Sequence, residues 1–363
     1  MPLFYKMIYR PLGRTGLKVS VFSFGNWITG HDPEIEKVQT ECVKLAWDNG
    51  INFFDTAEVY GFGIAETVFG KALKALNVNR NQLVVSTKLF WSAREGFTVN
   101  MNGLSRKHIV EGMQNSLKRL QLDYVDVVFC HRPDHDTPLE EVCKGMSYLI
   151  DQGQAFYWGT SEWPPCMIAA AIETCKRLNL HEPKAEQCEY NMVQRTKMER
   201  EYRFLFKNYG MGTTIWSPLK SGLLTGKYNS GEKIANSRFG KGGHDTTWNK
   251  YMGTEEKRNS LVSKLVKLEE IAKELGGTMS QLALAWTVMN QDTSTCILGA
   301  SRVSQLEENL KSLALLKKWT PEVENRIEDI LDNRPEDWTD YMSWTPLTPT
   351  RIDRLYKAPE DKK

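Results

Sequence analysis

The feature that most limits what this chain can fold into is a repeated alternation of a short apolar run, a polar loop and an amphipathic helical stretch. The apolar runs read as strands at 19–24, 52–54, 83–87, 125–130, 155–159, 185–189, 212–216 and 295–298. Helical periodicity falls near 36–49, 64–76, 105–121, 138–151, 164–178, 198–208, 258–275 and 302–311, with a further helix at 279–290 after the break at Gly276 and Gly277. Ser105 with His108, Thr137-Pro138 with Glu140 and Glu141, and Pro164-Pro165 supply helix starts. Strands that alternate with helices call for a parallel sheet. Eight such units predict an α/β fold closed into a (β/α)8 barrel, the TIM-barrel architecture. An open dinucleotide-binding sheet would need G-x-G-x-x-G after its first strand. Phe24-Gly25-Asn26-Trp27-Ile28 lacks it, and Gly61-Phe62-Gly63 leads to Glu66 where the third glycine belongs.

The stretch Leu12-Gly13-Arg14-Thr15-Gly16-Leu17-Lys18-Val19 predicts a small hairpin ahead of the barrel. Between Ser217 and Lys257 lies a glycine-rich connection without clear periodicity. Compact domains rarely carry structureless connections beyond about 15 residues unless those connections have a function. In a barrel this one follows the seventh strand, on the face where active sites sit. The expected organisation is a single barrel domain over 1–331, with 332–363 as a non-barrel tail rich in proline and carrying Trp338 and Trp344.

Composition narrows the class of partner. Hydrophobic residues make up 41% and charged residues 25%, the range of a globular enzyme, and the net charge of +2 gives no reason to expect nucleic acid or an anionic membrane. No apolar run reaches the length of a membrane span, so no membrane insertion is expected. Seven scattered cysteines without a Cys-x-x-Cys pair argue against a disulfide framework or a metal site and for a cytoplasmic location.

In a parallel barrel all strands end on one face, so residues far apart in sequence converge there. The second predicted strand ends at Asp55 with Tyr60 just beyond, the third ends at Lys88 and the fourth at His131. A lysine buried at a strand end needs a counter-charge, which Asp55 on the neighbouring strand can supply. A positive charge beside a phenol favours phenolate, so Lys88 is expected to lower the pKa of Tyr60 and make it a general acid, with His131 bonding the substrate oxygen. Taken singly, each residue has an ordinary explanation: a snorkelling lysine, a loop histidine, a packed tyrosine. Four of them at successive strand ends point to a site.

Several motifs then carry a resemblance: Gly-Arg-Thr-Gly-Leu-Lys-Val-Ser at 13–20, Asn-Gly-Ile-Asn-Phe-Phe-Asp-Thr-Ala-Glu-Val-Tyr-Gly at 49–61, Gly-Leu-Ser-Arg-Lys-His-Ile at 103–109, Leu-Asp-Tyr-Val-Asp-Val-Val-Phe at 122–129, Tyr-Trp-Gly-Thr-Ser at 157–161, Trp-Ser-Pro-Leu at 216–219 and Leu-Gly-Ala-Ser at 298–301. The sequence resembles the aldo-keto reductases, and among them the voltage-gated potassium channel β subunits and their bacterial and plant relatives. The resemblance implies NADPH-dependent reduction of aldehydes or ketones, with Tyr60 protonating the oxygen, Lys88 and Asp55 tuning it and His131 orienting the carbonyl. Channel β subunits carry asparagine at the position of His131, which sets this chain with the competent reductases.

The cofactor contacts implied by resemblance begin with Asn26, Trp27 and Asp55. Ser161, Glu162 and Gln187 fall at the carboxamide and Trp216 stacks on the nicotinamide. Ser217, Pro218, Leu219 and Ser221 with Lys227 and Arg238 clasp the pyrophosphate. Gly299, Ser301, Gln305, Glu308 and Asn309 reach the adenosine end, where Arg302 favours NADPH over NADH. Glu162 departs from the family, which has Asn or Arg there, and Asn26 replaces a common Thr. Trp27, Phe90, Trp91 and Trp163 follow strand ends and are expected to wall a pocket for an apolar or aromatic aldehyde. A homo-oligomer, with a tetramer plausible, and a channel cytoplasmic domain are the partners implied. The alternative function is a channel-associated subunit that binds NADPH as ligand or redox sensor.

Overall fold

The computed structural model describes residues 6–27, 33–93, 99–235, 237–240, 244–342, 344–346, 351 and 355–357. Parts of the connection after the seventh barrel strand (236 and 241–243) and of the tail (343, 347–350, 352–354 and 358–363) lie outside these residues. The described residues group into two compact units. One comprises 1–188, 201–216 and 292–307, the other 189–200, 217–291 and 308–363.

The first unit opens with an antiparallel hairpin, β1 (Tyr9–Pro11) and β2 (Lys18–Ser20). Eight strands then close into a barrel: β3 (Phe22–Gly25), β4 (Phe53–Asp55), β5 (Val84–Leu89), β6 (Val125–Cys130), β7 (Ala155–Ser161), β8 (Ala185–Glu189), β9 (Gly212–Trp216) and β10 (Thr295–Leu298). The closed order is β10-β3-β4-β5-β6-β7-β8-β9, and the ladders between β9, β10 and β3 through β8 run parallel. This is the expected (β/α)8 architecture. β5 and β6 are buried at every position, as strands covered on both faces must be. The apolar run at 19–24 is two strands rather than one. The Ser20 hydroxyl donates to the Phe22 carbonyl at 2.6 Å, and the backbone N–H of Val21 turns back to Ile8, so the chain leaves the hairpin and enters the barrel there.

Helices α1 (Pro33–Asp48), α2 (Ile64–Ala75), α3 (Arg106–Leu120), α4 (Leu139–Asp151) and α5 (Pro165–Leu178) follow the first five barrel strands. Their boundaries follow capping chemistry. Ser105 accepts the His108 N–H at 3.2 Å to start α3, and Gln121 ends it in the left-handed region. Pro164 rather than a hydroxyl starts α5, and Thr137 spends its hydroxyl on Asp134 instead of capping α4. α2 buries Ala65, Val68, Phe69, Ala72 and Leu73 at helical spacing. A methyl on Gly70 would stand 2.2 Å from the Leu120 carbonyl oxygen, so glycine is what lets α2 approach α3. The helix expected at 198–208 forms instead as two π-helical turns, Lys197–Glu201 and Leu205–Tyr209.

The second unit holds most of the connection between β9 and β10, which is less irregular than its glycines suggest. It contains a short 3-10 stretch, Lys220–Thr225, and α6 (Asp245–Met252), before α7 (Glu255–Glu274) and α8 (Met279–Met289). Tyr228, Phe239 and Trp248 pack edge to face at 5.2 to 5.6 Å between ring centroids and give the segment its own small core. α8 starts with a full capping box, Thr278 and Gln281, directly after the two glycines. α9 (Val303–Leu310) follows β10, and α10 (Pro321–Leu331) precedes the tail, whose short antiparallel pair is β11 (Thr339–Asp340) and β12 (Thr345–Pro346).

Several tail contacts hold it in place, among them Leu355 with Gln291 and Tyr356 with Met289, and Arg351 makes the most buried of those described. Arg351 is buried, pairs with Glu324 at 2.8 Å, donates to Tyr190 Oη at 3.0 Å and to the Trp286 carbonyl at 2.8 Å, and lies 3.8 Å from the Trp286 ring centroid. Beside it Arg195 bridges Glu199 and Glu328. Among the described residues no helix is long and apolar enough to cross a membrane, and no group of three or more His, Cys, Asp or Glu is arranged to hold a metal ion. Removing one member of a buried ion pair strands the other charge. Arg351→Ala should therefore lower the stability of the second unit by about 3–5 kcal/mol, read by urea unfolding and by the rate of limited proteolysis.

Candidate active site

The barrel register builds the site. Asp55, the last residue of β4, lies opposite Ser86 on β5, and Lys88 stands two residues further along that strand, so both side chains share a face. Lys88 is fully buried and Asp55 nearly so. The ammonium donates to Asp55 Oδ2 at 2.5 Å and to the Thr56 carbonyl at 2.7 Å. The other carboxylate oxygen accepts from Ser86 Oγ at 2.6 Å and from Gln187 Nε2 at 3.1 Å. Burial alone would lower the Lys88 pKa, but the pairing with Asp55 and contact with Tyr60 outweigh it, and the ammonium is held above the ordinary lysine pKa.

Tyr60 opens a 3-10 turn, Tyr60–Gly63, directly beyond this pair, and Lys88 Nζ lies 4.8 Å from its ring centroid. The turn is made by three successive residues with positive φ, Gly61 at 55°, Phe62 at 52° and Gly63 at 91°, of which Phe62 pays for the lack of glycine's freedom. Burial raises the Tyr60 hydroxyl above the ordinary phenol pKa, further than the charge of Lys88 lowers it. The expectation that Lys88 dominates is thus corrected: desolvation wins, and the phenol keeps its proton.

His131 follows β6 and its ring meets Tyr60 edge to face at 5.7 Å and Trp91 at 4.9 Å. Burial, then the charges of Lys88 and Arg132, hold its pKa well below the ordinary imidazole value, so it is neutral. Among the described residues its buried Nδ1 has no hydrogen-bond partner. Behind these groups Glu58 accepts the Phe90 N–H at 2.8 Å and meets His108 at 3.0 Å, which fixes the start of the loop after β5.

The remaining sequence-assigned residues separate by unit. In the barrel unit, Ser161 Oγ donates to the Gln187 carbonyl at 2.9 Å, and Gln187 spends its amide N–H on Asp55. Trp216, half-buried at the end of β9, donates its indole N–H to Glu162 at 2.9 Å. Glu162, whose φ is 60°, therefore holds the ring. Asn26 is buried, giving its amide N–H to the Ala65 carbonyl at 2.7 Å, and among the described residues its oxygen has no partner. Trp27 and Trp91 are exposed and Phe90 half-buried, whereas Trp163 is fully buried. Gly299, Ser301 and Arg302 are exposed, and Gln305 accepts from both the N–H and hydroxyl of Ser301.

In the second unit Ser217 and Ser221 have φ of 54° each and Lys220 46°, so this run projects its backbone unusually. Pro218 is buried and Leu219 half-buried. Lys220 pairs with Glu189 at 2.6 Å, Lys227 is exposed, and burial pulls Arg238 below its ordinary value. Glu308 accepts from Thr278 at 3.0 Å, and Asn309 is buried with its carbonyl bonded to Ser312. The sequence reading missed three contributors: Ser86, Thr56 and Arg132. A serine inside the apolar run Val84-Val85-Ser86, and an arginine directly after His131, were the available signals.

The fold agrees with comparison to known proteins. The chain matches the aldo/keto reductase family over residues 22–332, and it belongs to that family. At 46% identity over 331 residues, 91% of this chain and 98% of the relative, it is similar to a protein of Arabidopsis thaliana described as a probable voltage-gated potassium channel subunit beta. A protein of Oryza sativa subsp. japonica with the same description matches to the same extent. A Schizosaccharomyces pombe protein bearing a provisional name of that kind is 47% identical over 334 residues, 90% of this chain and 94% of the relative.

The Lys88–Asp55 pair is testable without any ligand. Asp55→Asn should cost about 3–5 kcal/mol in urea unfolding by leaving the ammonium unpaired, and the double variant Asp55→Asn with Lys88→Met should recover much of that loss.

Proposed function

We propose that this chain is an NADPH-dependent oxidoreductase that reduces aldehydes or ketones to alcohols. The observation that carries the reading is the constellation of a protonated phenol, a buried charged lysine against its ring, and a neutral histidine with an unbonded Nδ1, all at neighbouring strand ends. A nicotinamide cofactor fits the residues present. Trp216 has its indole edge tied to Glu162 and its ring half exposed for stacking, Asn26 offers an oxygen with no partner, and Arg302 is an exposed cation beside α9 for a 2′-phosphate. When bound, NADPH supplies hydride to the carbonyl carbon.

The chain's residues then manage the oxygen. Tyr60 donates its proton to the developing alkoxide, and Lys88 stabilises the phenolate left behind. Asp55 keeps Lys88 charged, while Ser86 and Gln187 hold the carboxylate in place. Neutral His131 donates one ring N–H to the carbonyl oxygen and so orients it without competing as an acid. A raised phenol pKa leaves the acid form populated through neutral pH and depletes it only above the ordinary tyrosine range.

A second reading draws on the descriptions of the Arabidopsis and rice relatives: a channel-associated, oligomeric subunit that uses NADPH as ligand or redox sensor. Stoichiometric capture by a channel cytoplasmic domain, with NADPH bound but not consumed, would favour it.

Two outcomes test the reductase reading by NADPH absorbance with 4-nitrobenzaldehyde. Tyr60→Phe should lower kcat by about 10²- to 10⁴-fold and leave the NADPH dissociation constant unchanged. Wild-type kcat/KM should show no inflection near about pH 6.5, where an ordinary histidine titrates, because His131 is already neutral there. Wild-type rates in the Tyr60→Phe variant would remove Tyr60 as the acid.

A further inference from the structure

Arg132 stands at the catalytic end of the barrel, and above it contributes only the charge it adds beside His131. It follows His131 directly, so the end of β6 positions both. Its Nη1 donates to the His131 carbonyl and, at 3.3 Å, to Ser161 Oγ, and its guanidinium carbon lies 5.3 Å from the Trp91 ring centroid. The side chain is half-buried. Other arginines of the same unit are answered by carboxylates, Arg80 by Asp126 at 2.7 Å and Arg119 by Glu66 at 2.7 Å. Among the described residues Arg132 makes no ion pair, and its Nε and Nη2 donate to no protein group. Its charge nonetheless reaches the reacting groups, contributing to the lowered pKa of His131 and opposing the rise at Tyr60.

A guanidinium held by one nitrogen and stacked on an indole presents its remaining donors as a fixed fork. That fork matches a carboxylate or phosphate better than any neutral group. We propose that Arg132 is a specificity-determining residue that holds an anionic group, carboxylate or phosphate, carried by the carbonyl substrate. The preferred substrates are then oxo acids and anionic aldehydes rather than purely apolar ones. This inference rests on the reductase reading, and Trp91 serves as a platform for the arginine as much as a wall for the substrate.

4-Carboxybenzaldehyde and 4-nitrobenzaldehyde match in shape and differ in charge. In Arg132→Gln the carboxy-to-nitro ratio of kcat/KM should fall about tenfold or more, chiefly through KM, while Arg132→Lys keeps part of the ratio. Glycolaldehyde phosphate against glycolaldehyde, measured in the same way, tells which anion is preferred, since the pair with the larger loss identifies it. Ratios that Arg132→Gln leaves unaltered in both pairs overturn the inference while the reductase reading stands on the neutral substrates. If wild type turns over neither neutral nor anionic carbonyl compounds, the reductase reading fails. Calorimetry with benzoate then decides the arginine by itself: saturable binding lost in Arg132→Gln supports the anion site, and equal or absent binding in both proteins overturns it.

Discussion

The buried contact between Lys88 and Asp55 is the interaction on which the rest of the site depends. Two charges removed from water cost more than their attraction returns unless every remaining donor and acceptor is met. Here the carboxylate is completed by Ser86 and Gln187, from two other strands, and the ammonium by the Thr56 carbonyl. Three strands of the barrel unit are therefore tied through one carboxylate. Slipping β4 or β5 by a residue would turn its side chains to the opposite face and leave a charge stranded, and slipping β8 would take Gln187 from the carboxylate, so the pair also specifies register.

That contact sets the protonation states around it. The lysine stays charged, burial and then the charges of Lys88 and Arg132 keep the neighbouring imidazole neutral, and the sealed environment keeps the phenol protonated. Burial and one fixed charge thus hold all three groups in the forms that the proposed reduction would use. The hydrogen bond from Trp216 to Glu162 does for the flat face of the site what the ion pair does for its base: it fixes a ring that would otherwise rotate.

Much of this was legible in the sequence because barrels translate order into position. Alternating runs announced eight strands, and each strand end announced a neighbour, which brought Asp55, Lys88 and His131 together before any coordinates. What was not legible depended on balances and on local hydrogen bonds. The sign of the Tyr60 shift turns on how much burial outweighs a charge, and sequence carries no measure of burial. The break at Val21 came from one serine hydroxyl. α6 was hidden by flanking glycines, although Trp248, Tyr228 and Phe239 supplied the core that holds it. Arg351 lay in a proline-rich tail whose composition suggested only surface, and its partners Glu324, Tyr190 and Trp286 are distant in sequence.

The three left-handed residues after Tyr60 carry a consequence for anyone who would move this chemistry elsewhere. The phenol sits on a segment whose main chain turns through the left-handed region at Gly61, Phe62 and Gly63. Grafting a tyrosine alone onto the equivalent strand end of another barrel would leave that left-handed turn behind. The transferable part is the whole segment from Asp55 to Gly63, together with a partner strand that ends in lysine.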